Sequence, residues 1–138
     1  MFAHDFIQVD REFGAARAVL LHDSYAVLER CTRETLGAAA SIDVGDARDR
    51  DDIVVVPVRL ACSDVSCPFR VLDGDVQVAP LDDDATHVSI AVTFEPRVDD
   101  LPLRSTVIAD HRRTEKLLRS FLAALAAELE RPRHGATT

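Results

Sequence analysis

Of the side chains able to do chemistry, His111 stands in the most suggestive place. It shares one stripe at helical spacing with Val107, Thr114, Leu118, Phe121, Leu122, Leu125 and Leu129. A neutral imidazole on such an apolar stripe can donate to a ligand oxygen or act as a general base. The stronger reading is structural: a partly buried ring hydrogen bonded to Asp110, to a backbone carbonyl or to the rim of an interior. His22 falls at a helix–loop junction and His87 on the outward face of a strand, and neither is assigned a role.

The cysteines offer less. A Cys62-x4-Cys67 pair suggests zinc, but a structural zinc site needs four ligands at tight spacing and no second pair exists. Cys62 reads instead as a small hydrophobe on the inner face of a strand, and Cys31 has no identifiable catalytic partner. Three cysteines are an odd number with no disulfide-framework spacing, so at least one is unpaired and the set fits a reducing compartment. No G-x-S-x-G elbow is present and the five glycines are scattered, so neither a serine nucleophile nor a phosphate-cradling loop is indicated. The residues therefore nominate no catalytic group, no metal ligand and no cofactor.

Composition narrows the classes further. A chain of 138 residues can form one core, burying roughly 68–70% of its unfolded surface. The formal charge of −8 repels nucleic-acid phosphates, whose binding draws on Lys and Arg. No apolar run approaches the roughly 18 residues of a membrane span. Met1 to Phe6 has neither a basic region nor a continuous apolar stretch, so no secretory signal is read and a cytoplasmic address is expected. The acidic runs Asp46 to Asp52, Asp82-Asp83-Asp84 and Asp99-Asp100 read as solvated turns, where Asp bonds its own backbone.

The elements that must position these residues follow from periodicity. Residues 2–9 read as a strand, with Asp10 as the N-cap of a helix through Phe13, Ala16, Leu20 and Leu21 and a second short helix from Ser24 carrying Tyr25, Leu28 and Cys31. From Leu36 the period becomes two, with Ala38, Ala40, Ile42 and Val44 on one face. After a charged turn over 46–52, residues 53–62 put Val54, Val56, Val58, Leu60 and Cys62 on one side. Pro57, lacking a donor, marks an edge, a bulge or an unpaired outward amide. Residues 69–80 and 86–94 repeat the one-sided pattern through Leu72, Val76 and Val78, then Val88, Ile90, Val92 and Phe94. Short turns between such strands require antiparallel pairing. A loop over Pro96 to Pro102 precedes a helix over about 105–130, roughly 40 Å long at 1.5 Å per residue, and 132–138 form a polar tail after a single domain spanning 1–131.

This order, together with Val56-Pro57-Val58-Arg59-Leu60, Phe69 through Leu81, and Phe94-Glu95-Pro96-Arg97, resembles the polyketide cyclase/START-like (SRPBCC) superfamily and its uncharacterised bacterial members. The resemblance implies an α+β helix-grip fold: a curved antiparallel sheet wrapped around a long C-terminal helix, with two short helices after the first strand. It also implies an apolar cavity between sheet and helix. The inner-face residues Val56, Val58, Leu72, Val76, Ile90, Val92, Leu118 and Phe121 would line that cavity, with His111 or Arg59 as a polar contact near its mouth. The expected function is binding or carriage of a small hydrophobic, lipid- or polyketide-like molecule. The alternatives are a cyclase, dehydratase or hydrolase using the same cavity with His111 as base, and a homodimeric interaction scaffold pairing through a strand edge. The single Tyr and the absence of Trp leave few handles for polarising a substrate carbonyl, which weakens the cyclase alternative.

Overall fold

A computed structural model describes residues 1–50, 52–64, 67–96 and 104–131. The elements are β1 (Phe2–Val9), α1 (Phe13–Leu36), β2 (Ala40–Val44), β3 (Arg48–Arg50), β4 (Ile53–Cys62), β5 (Phe69–Pro80), β6 (Thr86–Pro96) and α2 (Arg104–Glu130). The expected loop over Pro96 to Pro102, with Asp99-Asp100, lies almost wholly outside the described residues, as does the tail over 132–138. The structure is α+β, one antiparallel sheet of six strands in the order β1-β6-β5-β4-β2 with β3 also paired to β4. The meander β4-β5-β6 follows from its short connections. That β1 joins β6, from Phe2 opposite Thr93 to Val9 opposite Thr86, is a long-range pairing that no local pattern contains.

Alternation along each strand sends one set of side chains inward. Val54, Val56, Val58, Leu60 and Cys62 of β4, Leu72, Val76 and Val78 of β5, and Val88, Ile90, Val92 and Phe94 of β6 are all buried. Both helices cover this face, α1 against β2, β4 and β5, and α2 against β1, β6 and α1. The helices are locked to each other by Glu128, a buried carboxylate held by Arg30 through Nε at 3.0 Å and Nη2 at 3.1 Å. Glu128 is the buried member and Arg30 is half exposed, so losing Arg30 would strip a buried carboxylate of its charge-assisted, two-pronged partner, while Arg131 stands 3.5 Å from the same group.

Four local expectations are corrected. Asp10 does not cap α1: the cap position is Glu12, with no side-chain cap bond, and the Asp10 amide donates to Glu130 Oε2 at 3.2 Å. The two short helices join into one run, broken only by non-helical backbone at Asp23 (φ −127°, ψ 25°). The charged turn over 46–52 contains the strand β3, whose Arg48, Asp49 and Arg50 oppose Val55, Val54 and Ile53. Arg17 of α1 forms an ion pair with Asp49 there. Its hydrogen bond is the main cause holding that carboxyl below the ordinary carboxylate range. Finally, Cys62 and Cys67 are joined by a disulfide and only Cys31 is free. The sequence reading of Cys62 as a small hydrophobe without disulfide spacing is overturned, because a bridge over five residues depends on the loop path that brings the sulfurs together, which spacing does not show.

Pro57 illustrates how an apparent defect is accommodated. It lies in the interior strand β4, paired with Asp75 of β5. On its other side β2 ends opposite Val58 and β3 begins opposite Val55, so the missing donor falls at the break between them. The Pro57 carbonyl still accepts the Gly45 amide at 2.8 Å. The Cys62–Cys67 bridge closes the neighbouring connection between β4 and β5. Closing so short a loop restricts the unfolded chain by about 2 kcal/mol, so dithiothreitol should lower the unfolding free energy by about that amount in urea titrations. A Cys62→Ser, Cys67→Ser double variant should show no response to the reductant.

Candidate functional site

The residues expected to face a ligand lie on the covered side of the sheet or on α2, Arg59 excepted. Val56, Val58, Val76, Ile90 and Val92 are buried there in successive pairs, Val56 opposite Val76 and Val76 opposite Ile90. Leu72, Leu118 and Phe121 are brought together more closely. With Thr35, Leu36, Leu60, Phe69 and Leu117 they line an apolar cavity of about 10 Å³ between the end of α1, strands β4 and β5, and α2. That is about the space of one water, in surroundings that give a water nothing to bond.

Phe69 reaches this cavity through an irregularity. It is three residues from Leu72, which in a regular strand would put the two on opposite faces. A register shift between them, with Phe69 opposite Pro96 and Leu72 opposite Phe94, turns both inward. Leu117 has a second neighbour set on its outer side, an open groove of about 400 Å³ lined by Pro68, Arg113, Lys116, Leu117 and Ser120. Leu117 thus lines both the inner cavity and a basic surface groove.

His111 sits at the margin of the interior rather than within it. Its side chain is 29% exposed, its ring stacks on Phe94 with centroids 6.0 Å apart, and its Nε2 lies 3.0 Å from the Phe2 carbonyl. Nδ1 lies 3.1 Å from Glu115 Oε1, one turn along α2. With Nε2 donating, the ring ties α2 to the outer edge of β1, as Arg119 does through Asp5 at 3.2 Å. Arg59 is exposed on the outer face beside Asp73, 3.6 Å away, and does not face the cavity.

Asp110 and Thr114 are buried polar residues of α2. They lie one helical turn apart on the face of α2 that continues into Leu118 and Phe121, and are 5% and 0% exposed. Asp110 Oδ1 meets Arg113 at 3.4 Å, whereas Asp110 Oδ2 and Thr114 Oγ1 are shielded from solvent and have no hydrogen-bond partner. The sequence signal was a polar pair at positions i and i+4 on an apolar stripe, masked by the more conspicuous His111. An unpartnered buried hydroxyl is destabilising. Thr114→Val, which keeps the shape, is therefore expected to stabilise the free protein by about 1 kcal/mol in urea unfolding.

Cys31, the free thiol, is fully buried on α1. Burial, and then the nearby carboxylates of Glu128 and Glu34, push its pKa from 9.0 up to about 12. A thiol so held is a poor nucleophile, so native protein should resist iodoacetamide until it is unfolded. The folded state holds this proton more tightly than the unfolded chain. The stability it contributes is therefore full below pH 9 and is lost as pH rises toward 12. Cys31→Ala should flatten that alkaline decline.

Among the described residues, no group of three or more His, Cys, Asp or Glu could hold a metal ion, and no helix is long and apolar enough to cross a membrane. No family model matches the chain, and no curated protein matches it. Solved structures are similar in fold across nearly its whole length. The Zhui aromatase/cyclase from Streptomyces sp. R1128 matches with a TM-score of 0.58 at 12% identity, covering 98% of this chain and 97% of that one. A conserved protein from Geobacillus kaustophilus matches at 0.57 and 16%, covering 94% and 95%. Norcoclaurine synthase from Thalictrum flavum, in complex with dopamine and hydroxybenzaldehyde, matches at 0.51 and 11%, covering 96% and 88%. A sheet gripping a long C-terminal helix, shared with aromatase/cyclases at this coverage, gives the chain the helix-grip fold of polyketide-cyclase-like proteins.

Proposed function

We propose that the protein binds a small, largely hydrophobic molecule between the inner face of its sheet and α2. The observation that carries this reading is the apolar surface of the space where Leu72, Leu118 and Phe121 meet, with Leu117 of α2 lining both that space and the outer groove. Mostly apolar walls with few polar groups are what such ligands need. The inner-face residues Val56, Val58, Val76, Ile90 and Val92 extend the same surface across the sheet. A guest larger than a water enters by displacing side chains, Leu117 and Phe121 first. Affinity then comes from apolar area removed from water at roughly 25 cal/mol per Å².

Binding is favoured over catalysis by the position of His111. Its Nε2 is engaged with the Phe2 carbonyl and its ring with Phe94, at the margin and not over the cavity, so the general-base role has no geometry behind it. The similar structures include an aromatase/cyclase and a synthase bound to aromatic compounds, which supports an aromatic-sized guest as the class to test. The Cys62–Cys67 disulfide favours an oxidising setting over the cytoplasmic address expected from the sequence.

The test is native mass spectrometry of freshly purified full-length protein, followed by titration with the fluorescent probe 1-anilinonaphthalene and a fluorescent fatty acid. One bound molecule per chain, competed off by a second apolar compound, is the expected result. Protein that carries no small molecule and shows no saturable binding of either probe would sink the reading.

A further inference from the structure

We propose that Asp110 and Thr114 form a polar subsite inside the helix–sheet interior that binds a hydroxyl group carried by an otherwise apolar ligand. The inference rests on the binding reading above and adds a chemical class to it. Asp110 Oδ2 and Thr114 Oγ1 are both without partners, both in side chains at least nine-tenths buried, and both on the line of α2 that leads through Leu118 to Phe121. Asp110 Oδ1 is held by the half-exposed Arg113 at 3.4 Å, which leaves Oδ2 as the buried acceptor without a partner.

The chemistry of the two orphans selects the guest. An ionised carboxylate oxygen only accepts, whereas a threonine hydroxyl both donates and accepts. A ligand hydroxyl satisfies them together: its O–H donates to Asp110 Oδ2 while its oxygen accepts from the Thr114 O–H. A carbonyl or ether oxygen cannot donate to Asp110, and a carboxylate would meet Asp110 with like charge. An ammonium offers Thr114 no acceptor. An alcohol or phenol on an apolar body is therefore the class that fits. An analogue lacking the hydroxyl leaves both groups buried and unpaired, the situation in which a site built around a polar contact discriminates most strongly.

The experiment compares 2-naphthol with 2-methylnaphthalene, which have nearly the same shape and differ in O–H against CH₃. Affinities are read by chemical-shift titration of the full chain. The wild type is expected to bind 2-naphthol about tenfold more tightly, the ratio that one satisfied polar contact produces. Thr114→Val and Asp110→Leu should each bring the two affinities within about twofold, by weakening 2-naphthol and leaving 2-methylnaphthalene unchanged. The valine variant preserves shape and fold, so the test survives if the leucine variant does not fold. Equal affinities in the wild type would overturn the subsite while leaving the apolar binding reading intact, and would mean that the pair holds water only. A preference that persists in both variants would overturn it equally, since the hydroxyl would then be read elsewhere. If neither probe binds, the subsite falls together with the binding reading on which it rests.

Discussion

Gly74→Ala is expected to lower the unfolding free energy by about 3 kcal/mol or more, seen as a drop in melting temperature of about 10 °C. Ordinary strand chemistry predicts the opposite sign, because glycine inside a strand costs about 0.5–1 kcal/mol relative to alanine. The close approach of β6 decides the matter. Gly74 lies opposite both Val92 and Val58, and a Cβ placed on it would stand 2.1 Å from the Ala91 carbonyl oxygen and 2.6 Å from Val92 Cγ1. The first of these is backbone in a paired strand and cannot rotate away, so the ladder between β5 and β6 must shift. With total stabilities of about 5–15 kcal/mol for domains of this kind, such a loss is a large fraction of the whole. A thermal melt of Gly74→Ala that matches or exceeds the wild type would show that β6 does not crowd this position.

Phe121→Ala should be comparably costly and more informative about function. The ring is 2% exposed and forms part of the wall shared with Leu60, Phe69, Leu72 and Leu118. Truncation removes its transfer free energy and leaves a void, together about 3–5 kcal/mol. The void is added to a space that is already apolar, so an added guest should recover part of the loss. Saturating indole is expected to raise the melting temperature of Phe121→Ala more than that of the wild type. Occupancy at about 100 times the dissociation constant is worth about 2.7 kcal/mol. Equal shifts in the two proteins would place the guest somewhere other than beside Phe121.

These two positions differ in how much of them the sequence discloses. Phe121 belongs to the helical stripe of Leu118, Leu122, Leu125 and Leu129, and periodicity alone assigns it to the interior. Gly74 falls in the middle of a one-sided strand, where its presence is visible but its reason is not. The reason is an atom of β6, seventeen residues away in the chain, and only the pairing register brings that atom there. The candidate site divides in the same way. Leu72, Leu118 and Phe121 were legible as apolar, inward-facing residues. Leu60 was legible in the same way, on the inner face of β4, whereas Phe69 joined them only through a strand irregularity.

The histidine and the carboxylate beside it show the limit most clearly. A helical repeat of 3.6 residues fixes which side chains share a stripe to within about a residue, so His111 and Asp110 are both near its edge. The packing of α2 against β1 and β6 resolves the ambiguity, burying Asp110 and Thr114 and leaving His111 to bond the Phe2 carbonyl. By itself the sequence determined the α+β class, the strand meander, the long final helix and the buried side of β4, β5 and β6. All of these follow from local periodicity and short connections. Tertiary structure alone decided the β1–β6 pairing, the Cys62–Cys67 bond and the two unpartnered polar atoms under α2, because each depends on where distant parts of the chain meet.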